Sequence, residues 1–185
     1  MRVQMRLDLV PLTLAIALMT VPLVGREAQR EVQHASEPKP LPLALDDSFE
    51  IRKVSTLRLD PRVQVSALSG AGSGLSNSWL QAEMDRRYYG AISSLERKLR
   101  EGHYYNIQWS SARTADVKLR FEYRQEKLGL AVQLMEMNYP KAKGSYRSEF
   151  SVIGDDYHQD GVVTAWRITL VENGSIVGVN QSFLW

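Results

Sequence analysis

Residues 78–102 read SWLQAEMDRRYYGAISSLERKLREG, and the fold turns on how this stretch is arranged. Leu80, Met84, Tyr88, Ile92, Leu95 and Leu99 recur at steps of four and three, which places them on one stripe of an α-helix. Polar residues fill the opposite side. Ser78 with Gln81 three places on has the pattern of a capping box, Glu83 with Arg87 and Glu96 with Arg100 are favourable i,i+4 pairs, and Gly102 suits the residue after a helix end. The spacing predicts one long amphipathic helix whose charges form a solvated face.

On the C-terminal side, turn-forming residues fall at 111–114, 127–129, 140–144, 154–161 and 173–174, leaving six strand-length segments. Val117, Leu119, Phe121 and Tyr123 alternate with Lys118, Arg120, Glu122 and Arg124, a period of two with one apolar and one charged face. The charged face is expected in water. Asn173-Gly174 between apolar runs predicts a hairpin, because both central residues of a type I′ turn need positive φ. Counting from it sets Glu172 opposite Ser175, Leu170 opposite Val177, Ile168 opposite Val179 and Trp166 opposite Gln181. The same face continues through Val162, Thr164, Phe183 and Trp185, and the reverse face carries Arg167, Thr169, Asn180 and Ser182.

On the N-terminal side, Ile51, Val54, Leu57, Leu59, Val63, Val65 and Leu68 read as one strand interrupted at Asp60-Pro61, or as two short ones. The expected fold is therefore α+β: one long amphipathic helix packed on a curved antiparallel sheet of five to seven strands, with Met84, Ile92 and Leu99 against Trp166 and Ile168. This order of elements is similar to that of cystatin-like and NTF2-like folds, in which a sheet curls around one helix. The likeness is one of order alone. The Gln-x-Val-x-Gly inhibitory loop of cystatins is missing, so protease inhibition does not carry over.

Ahead of this domain, Arg2 and Arg6 precede Leu9–Val24, a run of sixteen residues without a charge. That is the layout of a secretory signal. Residues 1–25 are expected to be a signal peptide or signal-anchor, with 9–25 as the membrane tether if it is retained. Residues 26–50, with Pro38, Pro40 and Pro42 at alternate positions, read as a Pro-rich linker, which leaves 51–185 as the helix-on-sheet domain. The chain of 185 residues contains no cysteine, which excludes disulfides and a lipid-modified cysteine. Lys and Arg total 23 against 21 for Asp and Glu, so the charge offers no general attraction for nucleic acid.

Candidate chemistry is sparse. Gly70-Ala71-Gly72-Ser73-Gly74 precedes a helix, but the glycine spacing matches no phosphate-binding loop. Asp155, Asp156, His158 and Asp160 share one segment and offer oxygen at alternate positions to a hard cation such as calcium, although Arg167 stands where a calcium loop ends in Glu. No nucleophile elbow is found, and the motifs imply no cofactor. Tyr105, Trp109 and Trp185 are the candidate binding residues: the first two could line a pocket beside His103, and the third could be an exposed contact. Asn173-Gly174-Ser175 and Asn180-Gln181-Ser182 satisfy the glycosylation sequon. The expected function is an exported, non-catalytic binding or assembly module of the cell envelope, with an envelope or extracellular protein as partner. The alternative is an NTF2-like small-ligand-binding protein or pocket enzyme, which needs Tyr88, Tyr89, Tyr105 or His103 around an inner cavity.

Overall fold

A computed structural model describes residues 32–36, 38–61 and 74–185. The leader expected over 1–25, the strand residues Val63, Val65 and Leu68, and residues 70–73 of the glycine loop lie outside the described residues, as do the side chains of 74–80 with the Ser78 cap. Among the described residues no helix is long and apolar enough to cross a membrane.

The architecture rests on two long strands, β3 (Gly102–Gln125) and β4 (Gln133–Ile153), which form one antiparallel ribbon from Gly102↔Ile153 to Tyr123↔Gln133. The segments 111–114 and 140–144 do not end strands. They bend the ribbon, where the register shifts between Ser111, Ala115 and Val117 opposite Gly144 (φ 91°) and Lys141 (φ 50°). Asp116 Oδ1 accepts the Lys141 N–H at 2.7 Å, and the Ala112 N–H donates to Ser48 O at 2.8 Å, so backbone groups freed from the ladder are re-used. Sixteen residues separate Tyr105 from Phe121, roughly 50 Å of straight strand. Their ring centroids are 4.5 Å apart, so the ribbon doubles over on itself.

The doubled ribbon makes two layers. β2 (Phe49–Leu59) pairs with the first half of β3, while β5 (Val163–Glu172) pairs with its second half and β6 (Ser175–Gln181) follows β5. β1 (Gln33–Ser36) pairs with the start of β4. The six strands thus form a predominantly antiparallel sheet in the order β1-β4-β3-β5-β6, with β2 on the near half of β3. Tyr105, Ile107, Trp109, Leu119, Phe121, Met135, Phe150, Val152, Ile168 and Leu170 fill the space between the layers and are fully buried. The interface is aromatic: Phe121 stacks on Phe150 at 5.3 Å, and Tyr105 meets Trp166 edge-on at 6.0 Å.

The expected long helix is two short ones, α1 (Gly74–Tyr88) and α2 (Ser94–Lys98). Gly90 at φ 80° breaks the run, and Ser93 starts α2 with its own capping box. Glu96 accepts the N–H groups of Ile92 and Ser93 at 2.7 and 2.9 Å rather than pairing with Arg100. Arg100 Nη1 in turn donates to the carbonyls of Arg87 and Tyr89. Gly102 starts β3 instead of capping a helix: at φ 144° a Cβ there would strike the Val152 carbonyl. The Glu83–Arg87 pair forms as expected, at 3.0 Å.

Nor does the helix roof the sheet. Met84 and Tyr88 pack on Leu57, Leu59, Tyr104 and Ile153, on the outside of the first layer, while Trp166 and Ile168 face the interior. The Arg87 guanidinium lies 4.0 Å over the Tyr104 ring and grips both Glu149 oxygens at 2.5 Å. Of the expected core stripe, Ile92, Leu95 and Leu99 are exposed. Any likeness to cystatin-like and NTF2-like folds therefore stops at the order of elements.

The Asn173-Gly174 hairpin is present, with φ 49° and 79° and Glu172 opposite Ser175. Its register then departs from simple counting, because Val177 is an extra residue between Val171↔Ile176 and Leu170↔Gly178. Ile168 consequently faces Asn180, and Val179 and Phe183 turn outward. Part of the expected linker is also stitched into the domain. The N–H groups of Ala44 and Asp46 donate to Ile176 O and Val177 O, and Pro42 O accepts from Ile176, so this segment runs parallel beside β6.

Candidate functional site

Tyr105 and Trp109 are core residues, 1% and 0% exposed. Trp109 stacks on Tyr146 at 4.6 Å and donates its indole N–H to Ser148 Oγ at 2.9 Å; that hydroxyl also bonds Tyr139 OH. Burial pushes the Tyr105 phenol well above its ordinary range. Neither residue reaches a ligand surface. Trp185 is half-buried, with the guanidinium groups of Arg124 and Arg167 4.7 and 4.8 Å from its ring.

The metal candidates occupy a short helix, α3 (Asp155–Asp160), where side chains point apart around the axis. Asp155 and Asp156 are exposed; His158 Nε2 lies 3.1 Å from Lys98 O and 3.4 Å from Glu101. Asp155, Asp156, His158 and Asp160 are not brought together, and among the described residues no group of three or more acidic or histidine side chains is placed to hold a metal ion.

The same helix closes one end of the sheet through Tyr157. Its hydroxyl donates to Asp60 Oδ2 at 2.8 Å and accepts from Arg58 Nε at 3.0 Å, while Arg58 Nη2 also reaches Asp60 at 2.9 Å. His103 sits against this cluster, with ring centroids 5.7 Å from Tyr157 and 6.2 Å from Tyr105. Burial, aided by the Arg58 charge, pushes the His103 imidazole down to about 4, so it is neutral at pH 7. The cluster ties α3 to β2.

The second layer carries an outer face that alternation alone misjudges. Arg120 and Glu122, expected in water, are 4% and 3% exposed. Arg120 pairs with Glu122 (3.1 Å) and Glu136 (3.3 Å), Lys118 with Glu136 (2.8 Å), and Arg167 with Glu122 (2.5 Å), so charges from three adjacent strands neutralise one another. Arg120 also reaches Lys39 O of the proline segment. Beside this face an open cleft of about 510 Å³ is lined by Leu41, Tyr139 and four charges, Asp116, Lys118, Arg120 and Glu136. Two charges of each sign give it no preference for an anion or a cation. The legible signal was complementarity: Arg120 faces Glu136 on the next strand, Lys118 reaches the same carboxylate from the diagonal position, and Glu122 faces Arg167.

The remaining feature is an edge. β1 covers β4 only from Gln133 to Glu136, and no described strand pairs with the outer edge beyond. The first part of that edge contains Pro140, Lys141, Lys143 and Gly144, residue types that discourage strand addition. The second part, Ser145 to Ile153, reads SYRSEFSVI and has no proline, lysine or glycine. It spans about 30 Å. Sequence reading missed it because 140–144 looked like a chain reversal, which hid the length of β4.

No family model, no curated protein and no solved structure matches this chain.

Proposed function

We propose that the protein is an exported, non-catalytic binding or assembly module of the cell envelope that takes an extended segment of a protein partner along the outer edge of β4, between Ser145 and Ile153. The observation that carries this reading is the unguarded strand edge itself, unpaired among the described strands. Its backbone N–H and C=O groups gain partners when a strand is added, and main-chain hydrogen bonds then supply affinity. Arg147, Glu149 and Ser151 alternate along this stretch and would read alternate side chains of the incoming strand. Glu149 is already fixed there by Arg87. A filled interior supports a binding module over an inner-pocket protein, since Tyr105, Phe121 and Phe150 occupy the space such a pocket would need. The export component rests on Arg2, Arg6 and the run Leu9–Val24.

The test is a photo-crosslinking scan of the full chain in its native envelope, one position at a time from Ser145 to Ile153 and at Val179 to Gln181 of β6. A strand laid on the edge gives crosslinks to one partner that rise and fall with a period of two along β4 and are absent at β6. Equal crosslinking at both places, or none along β4, refutes the reading.

A further inference from the structure

Between α1 and α2 the chain exposes an apolar ridge that belongs to neither core cluster of the described residues. Tyr89 is 86% exposed, Ile92 91%, Leu95 65% and Leu99 47%. Leu95 and Leu99 are four apart on α2 and its C-cap, and Tyr89 and Ile92 stand exposed on the turn that precedes it. The ridge is held in this form rather than left loose. Glu96 and Ser93 cap the turn, and Arg100 binds the Arg87 and Tyr89 carbonyls from below.

We infer that this ridge is a membrane-contact element that seats in the interface of an anionic lipid surface. Two observations select that occupant. The first is shape: side chains exposed by nearly nine-tenths project from the surface, and a bilayer accepts projecting apolar groups without a matching cavity, whereas a folded protein partner must supply one. The second is charge. Arg97 and Lys98 stand exposed on α2 and form no ion pair among the described residues, while of the nearby carboxylates Glu96 is held by backbone amides, Glu83 by Arg86 and Arg87, Asp85 by the Gln81 amide and Glu101 by His158. Unneutralised cations beside apolar side chains suit acidic headgroups, and Tyr89 has the amphipathic ring favoured at that depth. The ridge shares no residue with the β4 edge, so either reading can fail alone.

The absence of cysteine allows a direct test in the full chain. An environment-sensitive fluorophore is attached through Ile92→Cys, and in a control protein through Leu130→Cys, an exposed site between β3 and β4. With vesicles of phosphatidylglycerol and phosphatidylcholine in equal parts, the label at 92 shifts to the blue and brightens, and the label at 130 does not. Pure phosphatidylcholine gives a much weaker response. Arg97→Glu with Lys98→Glu in the Ile92→Cys background lowers the partition about 25-fold or more, at roughly fivefold per basic residue lost. No shift at 92 on acidic vesicles, an equal shift at 130, or a shift that appears with protein concentration alone, as a second copy would cause, overturns the inference. Because the label reports its own position, membrane attachment through residues 9–25 does not imitate the result.

Discussion

The two layers have unlike outer faces. On the first, Leu57, Leu59 and Tyr104 are covered by Met84 and Tyr88 of α1, with Arg87–Glu149 as the charged contact at the rim. On the second, Arg120 and Glu122 are as buried as most of the core, with Lys39 of the proline segment against Arg120 and the Trp185 ring over Arg124 and Arg167. One face uses apolar burial; the other buries charges that their neighbours neutralise. A polar alternation along a strand therefore marks which side faces away from the core and does not establish that this side is wet.

The interior and the exposed ridge should differ most in what a truncation costs. Phe121→Ala removes a ring packed between layers and should cost about 3–5 kcal/mol in denaturant unfolding. Ile92→Ala, which would be a core deletion if the helix roofed the sheet, should change stability by no more than about 0.5 kcal/mol. Similar losses for the two substitutions would restore the helix as the roof.

The outer faces can be set against each other in the same way. Glu122→Ala strips Arg120 and Arg167 of a shared partner inside the structure and should cost about 3 kcal/mol. Glu149→Ala leaves Arg87 nearer to solvent and still beside Glu83, so about 1 kcal/mol is expected.

Next in size is a pH effect on the end sealed by α3. The folded His103 titrates near 4, below its ordinary value, so the unfolded chain binds this proton first as the pH falls. Its contribution is intact above pH 6.5 and is lost between about 6.5 and 4, amounting to about 2–3 kcal/mol. Unfolding midpoints measured across that range should fall less steeply for His103→Gln than for the native chain; identical slopes would place the loss elsewhere. The smallest effect belongs to the tail. Trp185→Ala should cost about 1 kcal/mol through its two guanidinium contacts and should perturb Arg124 and Arg167 resonances while leaving those of Tyr104 and Arg87 in place.

Much of the sheet was legible. Val117 to Tyr123 alternate as expected and turn their apolar side inward, and Asn173-Gly174 makes the turn that positive φ demands. Local rules reached that far because they concern neighbours within a few residues. They failed where a local signal had two physical outcomes. Gly144 and Lys141 adopt the backbone of a turn yet bend one strand, and Ser93 to Glu96 caps a helix beginning in the middle of what periodicity joined. Leu95 and Leu99 have helical spacing, but spacing cannot report whether a partner surface exists for the stripe, and the doubled ribbon had already filled the core with its own aromatic residues. Of the candidate site residues, Tyr105 and Trp109 are apolar in character and buried for that reason, and the aspartates beside His158 share sequence without sharing a centre.

The doubling of the β3–β4 ribbon underlies all of these contrasts, and it places two rings together that lie sixteen residues apart on one strand. A nuclear Overhauser measurement with selectively labelled tyrosine and phenylalanine addresses it directly. Strong cross-peaks between the Tyr105 and Phe121 rings, with further ones from Phe121 to Phe150, are the expected result. Their absence, together with cross-peaks from Ile92 or Leu99 to Trp166 or Ile168, would contradict it.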